Sequence, residues 1–324
     1  MTSYGEAGVD LAAAERHVAE IAMAVTATWT TGVVGGFGGF AAGVELPSGY
    51  VKPVLMMSTD GVGTKLELAR RGDRWDGVGF DLVAMCVDDL AAVGAKPLGF
   101  VDYLAVGALR PDRDTAIVTS IAAACSEAGC PLLGGETAEH PGVMPSDGVD
   151  LAGAVMGVVE SGEELGPHRV RRGDLVIALH SPNFRSNGYS LVRSVLGDDV
   201  DLHLDQLLEP SVIYAPDVLR AIEGGGVHAA AHITGGGLAA NLARILPDGL
   251  GIEIETGSWV TPSVFDLIAS RGVPHSEMLT TFNMGVGFCL LVDPGHLDYA
   301  MTRISRHTPS IIGRVGSGTG VALS

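Results

Sequence analysis

Six carboxylates stand where carboxylates are costly. Asp60, Asp81, Asp88, Asp89, Asp102 and Glu136 lie in or beside apolar or glycine-rich segments of this 324-residue chain. An acid at the end of a buried strand is unfavourable unless it is paired or holds a metal. Asp81 and Asp88 are seven apart, so on a helix they lie almost over one another, with Asp89 roughly 80° round from Asp81. Mg²⁺ prefers oxygen ligands and bridges one or two carboxylates to substrate phosphates. Such a bridge neutralises charge on a transferring phosphoryl group. Singly, each acid also reads as a helix cap or turn residue, and Asp60 before Gly61 is an ordinary turn pairing. Taken together and flanked by glycine, they favour the metal reading. Phosphate handling would need such a device. Nothing in the chain matches G-x-x-x-x-G-K-[ST], of which Gly61-Val62-Gly63-Thr64-Lys65 is only a fragment.

Positioning these acids requires alternating strands and helices. Asp10 can cap a helix whose Leu11, Val18, Ile21 and Val25 fall near helical spacing. A Gly-rich loop follows at 35–40. Apolar runs predict strands at 54–58, 98–106, 151–159 and 175–179 and a helix over 80–93. Pro111 sits where a helix accepts its first residue, and Ile117, Ile121 and Ala124 give that helix an apolar face. The polar, basic stretch 160–173 marks the boundary between two domains, residues 1–167 and 168–324. The class is α/β or α+β, and periodicity alone does not choose the topology.

Composition narrows the functions. Twenty basic against 38 acidic residues give a net charge of −18, whose mean field repels nucleic acid and anionic membranes. Cys86, Cys125, Cys130 and Cys289 are scattered, without C-x-x-C or zinc spacing, and read as core residues in a reducing compartment. No leader is visible and no apolar run reaches a membrane-spanning length, so a cytoplasmic location is expected.

The segments Ser58-Thr59-Asp60-Gly61-Val62-Gly63-Thr64-Lys65-Leu66, Phe80-Asp81-Leu82-Val83-Ala84-Met85-Cys86-Val87-Asp88-Asp89-Leu90 and Gly134-Gly135-Glu136-Thr137-Ala138-Glu139 resemble the phosphoribosylformylglycinamidine cyclo-ligase (aminoimidazole ribonucleotide synthetase) family. Tyr4-Gly5-Glu6-Ala7-Gly8-Val9-Asp10, the Gly35 to Phe40 loop, Ser186-Asn187-Gly188-Tyr189-Ser190, Thr234-Gly235-Gly236-Gly237 and Thr281-Phe282-Asn283-Met284-Gly285 continue the match in family order. The resemblance implies a two-domain fold in which N-terminal strands of two copies form a barrel across a homodimer interface. It also implies an ATP- and Mg²⁺-dependent closure of formylglycinamidine ribonucleotide to aminoimidazole ribonucleotide, with ADP and phosphate released. A monovalent-cation requirement stays open.

On this resemblance Asp60, Asp89 and Glu136 are expected to hold the metal, with Asp81 and Asp102 as second choices. Lys65 would neutralise a phosphate. Gly36, Gly38, Gly39, Gly61, Gly63, Thr64, Gly135 and Thr137 would line the nucleotide site. Gly235 and Gly236, at an apparent helix start, suit an anion. Asn187 and Asn283 could donate to substrate oxygens. His228 and His232 flank an apparent strand and read as structural. Relatives usually carry His before Ser-Asn-Gly-Tyr, whereas this chain has Arg185, which is expected to bind substrate phosphate. Relatives also carry basic residues before the Gly-rich loop that are missing here. A divergent paralogue, acting on another substrate or only binding nucleotide, is the alternative.

Overall fold

The computed structural model describes residues 11–324. The motif from Tyr4 to Asp10, including the Asp10 cap, lies outside the described residues.

The first half begins with helix α1 (Leu11–Ala27) and a short ribbon, β1 (Val33–Val34) with β2 (Gly43–Val44). There follow β3 (Pro53–Gly61), α2 (Lys65–Gly72), α3 (Val78–Ala92), β4 (Lys96–Val106), α4 (Pro111–Ala128), β5 (Leu132–Glu139) and β6 (Val149–Glu160). Four of these strands form a sheet in the order β3-β6-β4-β5. The β4–β5 pair is parallel, and α4 supplies the crossover that parallel neighbours need. Helix α4 shows its sequence logic plainly. Pro111 opens it, Asp112 and Asp114 sit at its positive end, and Gly129 in the left-handed conformation (φ 67°) closes it.

The second half contains β7 (Leu175–His180), α5 (Tyr189–Leu196), α6 (Leu204–Leu207), α7 (Ala215–Ile222), β8 (Val227–His232), α8 (Gly237–Ala243), β9 (Leu250–Ile254), α9 (Val264–Ala269), α10 (His275–Thr281), β10 (Val286–Val292), α11 (Leu297–Arg303), β11 (Pro309–Ser317) and β12 (Gly320–Leu323). Its six-stranded sheet runs β12-β9-β11-β7-β10-β8, antiparallel apart from β12–β9. Every residue of β10 is buried, and its unbroken apolar run is what a strand covered on both faces requires.

Helix α3 joins the halves. It is apolar nearly all round and buried along most of its length, the pattern of an internal helix rather than a surface one. One apolar core runs from Val62 and Leu66 through α3 to Tyr214, Phe288 and Val292. Gly79 lets α3 touch α4. A Cβ there would lie 2.1 Å from the Ile121 backbone nitrogen, so Gly79→Ala would force these helices apart.

The expected elements at 54–58, 80–93, 98–106, 151–159 and 175–179 all exist with shifted ends. The largest shift matters for function, because β3 continues through Asp60 and makes that acid part of the sheet. All four cysteines are free and buried. No helix among the described residues is long and apolar enough to cross a membrane. The four-stranded sheet leaves one face open, with Leu55, Met57, Val101 and Tyr103 exposed on it.

Candidate active site

Asp60 and Asp89 come together at the cleft between the halves. Asp60 points from β3 and its Oδ1 accepts from the Gly61 N–H at 2.7 Å. Asp89, on the last turns of α3, accepts from Ser58 Oγ at 3.1 Å and from His232 Nδ1 at 2.9 Å. Burial pushes the Asp60 carboxyl above its usual value, and the nearby Asp89 charge adds to this. Burial also pushes on Asp89, but the hydrogen bonds from His232 and Ser58 outweigh it and hold that carboxyl below the usual range. Ser58, Asp89, His232, Asn241 and Arg244 line a cavity of about 420 Å³ whose far wall is apolar, with Leu90, Val93, Leu165 and Ile245.

Asp102 lies on the same sheet face as Asp60. Both are registered against Gly153 of β6, and Gly135 flanks Asp102 on β5. A Cβ at Gly135 would lie 2.3 Å from Asp102 Oδ1, so that glycine makes room for the carboxylate. Burial raises the Asp102 carboxyl to about 7. Glu136 pairs in register with Tyr103. Because side chains alternate along a strand, Glu136 faces the open side of the sheet, opposite Asp102.

Asp81, Lys65 and Arg185 are placed otherwise than expected. Asp81 forms a 2.8 Å ion pair with Lys65, both about 1% exposed, and also accepts from the Ser211 N–H and hydroxyl. Lys65 spends a further bond on the Glu209 carbonyl at 2.8 Å. Neither group is left to meet metal or phosphate. Arg185 is fully buried. It pairs with Asp88 at 2.6 Å, donates to the Gly287 and Val212 carbonyls and lies over the Tyr214 ring. The other Asp88 oxygen accepts from the Tyr214 and Ala215 N–H groups at the start of α7. The substrate-phosphate role expected of Arg185 therefore has no exposed guanidinium to act through. Arg185 instead fastens the loop before Asn187 to α3.

The remaining expected residues divide between the cleft and elsewhere. Asn187 accepts from the Gly235 N–H at 3.2 Å and reaches toward Met85. Thr64 and Ser190 hydroxyls meet at 3.1 Å across the two halves, beside Gly63. Gly61 packs close to the Leu151 carbonyl. Gly235 and Gly236 precede α8, which spans only seven residues, and Asn241 ties their turn by bonding the Thr234, Gly235 and Gly237 carbonyls. Asn283 is buried and spends both ends of its amide on Asn183 and Gly285, so the expected bond to substrate oxygens is not offered. Thr137 faces His17 of α1. Gly36, Gly38 and Gly39 are exposed between β1 and β2. His228 pairs with Asp174, with Asp293 close by, whereas His232 belongs to the cleft. Its position just before Ile233-Thr234-Gly235-Gly236-Gly237 was the available sequence signal.

A chain split into these two sheets, with acids at the seam, defines a class. Family models described as AIR synthase related protein, N-terminal domain and C-terminal domain, match residues 42–159 and 171–324. Among curated relatives, proteins called phosphoribosylformylglycinamidine cyclo-ligase from Bacillus pumilus and a Synechococcus strain are each 44% identical to it. They align over 99% and 98% of this chain and 97% and 96% of their own. The chain belongs to the phosphoribosylformylglycinamidine cyclo-ligase family. Solved structures share the fold at lower identity. Thiamine-monophosphate kinase from Stenotrophomonas maltophilia superposes with a TM-score of 0.67 at 20% identity, covering 98% of this chain and 97% of its own. The hydrogenase maturation protein HypE in complex with ATP gives 0.68 at 20%, covering 96% and 88%.

Proposed function

We propose that this chain converts formylglycinamidine ribonucleotide and ATP into 5-aminoimidazole ribonucleotide, ADP and phosphate, in purine biosynthesis. The observation that supports this most directly is the pair Asp60 and Asp89 at the cleft, in a chain 44% identical to named cyclo-ligases over nearly its full length. An amide oxygen is a poor leaving group. Its phosphorylation by ATP gives an iminophosphate, whose carbon the amidine nitrogen of the same molecule attacks, with phosphate leaving as the ring closes. Holding both reacting groups in one bound substrate supplies proximity.

Hard carboxylate oxygens suit Mg²⁺, and a fixed, ionised Asp89 beside Asp60 fits that ion. Bound there, Mg²⁺ would neutralise charge on the triphosphate. Asp60 and Asp89 are assigned to it, with Asp102 behind them. Asn187 and the Thr64–Ser190 contact orient the substrate where the two halves meet. We place the division between the halves at residues 167 and 168, and the protein in the cytoplasm, where its four buried thiols stay reduced.

The exposed apolar face carrying Leu55, Met57, Val101 and Tyr103 fits a second copy of the chain, closing a barrel that would also enclose Glu136. Sedimentation equilibrium should then give twice the 33.3 kDa chain mass, and a monomer at micromolar concentration would remove the dimer from the reading. The test of the reaction is turnover of the purified protein with Mg·ATP and formylglycinamidine ribonucleotide. ADP and aminoimidazole ribonucleotide should form one for one. Folded protein that binds ATP but makes no ring product would refute the assignment.

A further inference from the structure

The edge of the second sheet away from the cleft gathers ligating side chains that the reaction does not use. Strand β10 runs antiparallel between β7 and β8, and Val292 at its end stands opposite Leu175 of β7 and Val227 of β8. Asp174 precedes Leu175, Asp293 follows Val292 and His228 follows Val227, so three adjacent strands bring these residues to one edge. The register between β10 and β8 slips at this point. Leu291 faces Ala229 and Val292 faces Val227, which leaves His228 as the extra residue of a bulge, a device that re-aims a side chain. His228 lies four residues before His232 on the same strand, about 13 Å away at the usual rise per residue. The cluster is therefore separate from the cleft carboxylates.

One oxygen from each of Asp174 and Asp293 and one ring nitrogen of His228 lie within 4.8 Å of one another. Asp174 is 1% exposed and His228 5%. Asp174 Oδ2 accepts from the Arg171 N–H and lies 2.8 Å from His228 Nδ1. Asp293 Oδ1 accepts from the Gly295 N–H at 2.8 Å, and the Asp293 N–H donates to the Gly226 carbonyl at 2.8 Å. Each carboxylate is thus held by its own turn. Asp174 alone would serve the His228 ring. The second carboxylate converges on the same point and adds like charge there, which is unfavourable without a cation between the two. His296 stands nearest for a further ligand, its Nδ1 3.7 Å from Asp293 Oδ1. A Cβ at Gly226 would lie 2.3 Å from His296 Cγ, so that glycine lets the His296 ring lie against this edge.

The donor set selects the cation. Mg²⁺ and Ca²⁺ take oxygen ligands, whereas imidazole beside carboxylates suits Zn²⁺ and its neighbours. Ligand atoms around a tetrahedral Zn²⁺ stand roughly 3.3 Å apart, so the Asp174–His228 contact need open by only about half an ångström to admit the ion. A metal displaces any proton from the ring nitrogen it takes, so the site is open to it whichever form the ring has. We propose that Asp174, His228 and Asp293 bind a divalent transition-metal ion of the Zn²⁺ kind, which ties β7, β10 and β8 together at their shared edge. Such a site is independent of the reaction proposed above.

Calorimetric titration of the EDTA-treated, dialysed protein with ZnCl₂, in excess Mg²⁺ to fill the cleft, tests this. Wild type should take up one Zn²⁺ per chain. His228→Gln and Asp293→Asn should each weaken that binding by at least about 100-fold. Both should still bind Mg²⁺ with the non-hydrolysable analogue AMPPCP like wild type, which shows that they are folded. Asp89→Asn, in the cleft, should leave Zn²⁺ binding intact. Zn²⁺ should also raise the melting temperature of wild type and not of His228→Gln or Asp293→Asn, because only a ligand bound to the native state stabilises it. Wild type that binds no Zn²⁺ in excess Mg²⁺ would overturn the site. So would binding undiminished in both variants, binding lost in His228→Gln but kept in Asp293→Asn, or binding lost in Asp89→Asn, which would place the ion in the cleft.

Discussion

Helix α3 carries acids to two different environments. Asp81 and Asp88 point at the second half of the chain into a dry contact, where each meets a buried cation and backbone N–H groups. One residue further, Asp89 turns to the cleft and meets a histidine with an unfilled nitrogen. Residue type is the same and spacing nearly so. What differs is burial and the kind of partner. The Asp81 and Asp88 side chains are 1% and 0% exposed and each faces a buried lysine or arginine, so they hold the two halves together, although Asp81 Oδ2 and Arg185 Nε make no hydrogen bond of their own. The Asp89 side chain is 47% exposed and faces a histidine and a serine, which leaves it accessible to a ligand. Burial of the charge together with a permanently charged partner separates these roles.

Removing one partner from the dry side should have the largest effect. Arg185→Met leaves Asp88 buried without its cation and should destabilise the fold by about 3–5 kcal/mol, measured by denaturant unfolding. Adding Asp88→Asn should recover part of that loss, since contacting residues are not additive. A loss below about 1 kcal/mol in the single variant would show that the pair does not join the halves.

Asp102 is a third case, buried like the first pair but with no cation or histidine beside it. Its carboxyl is raised to about 7 in the fold, against about 3.9 unfolded. The folded state then keeps a proton that the unfolded state has released. Stability contributed by the neutral group is full below about pH 4, declines as pH rises to about 7, and is level above that. The decline amounts to at most about 4 kcal/mol. Unfolding free energies at pH 5 and pH 8 should differ less in Asp102→Asn than in wild type. Equal differences would mean that Asp102 is ionised in the fold.

The cleft side should respond in activity rather than in stability. Asp89→Asn and Asp60→Asn should each lower kcat/KM by about 100-fold, or ~2.7 kcal/mol of transition-state stabilisation. Both should raise the Mg²⁺ concentration needed, and unfolding should change by less than about 1 kcal/mol. Unchanged turnover and Mg²⁺ dependence would remove the residue from the site.

The same contrast explains what could be read in advance. Strand and helix cores were legible because apolar runs report burial directly, as in 98–106 and 80–93. That Asp81 and Asp88 share a helix face followed from their spacing, but what that face meets did not. Lys65 finds the Glu209 carbonyl 144 residues away, and Arg185 finds Asp88 97 residues away. No local pattern encodes such partners. Lys65 and Arg185 therefore both resembled phosphate ligands. His232 was passed over for the converse reason. As the last residue of a strand it looked like packing, and only Asp89 from the other half and the empty Nε2 distinguish it. Asp60 and Asp89 stood out because each falls in a segment that carries the family resemblance, and the fold places them near each other at the cleft.

The Asp88–Arg185 pair also constrains how this sequence can change over time. A neutral substitution without a donor at 185 alone would leave Asp88 as an unpaired buried charge. Arg185 further occupies a left-handed backbone conformation, φ 60°, which few side chains accept without strain. A change at 185 that keeps Asp88 charged must therefore bring another cation or donor within reach of that carboxylate. Histidine, which relatives usually carry there, meets that demand as an N–H donor and carries charge only while protonated, whereas the arginine of this chain keeps the joint between the halves charged at every pH the fold meets.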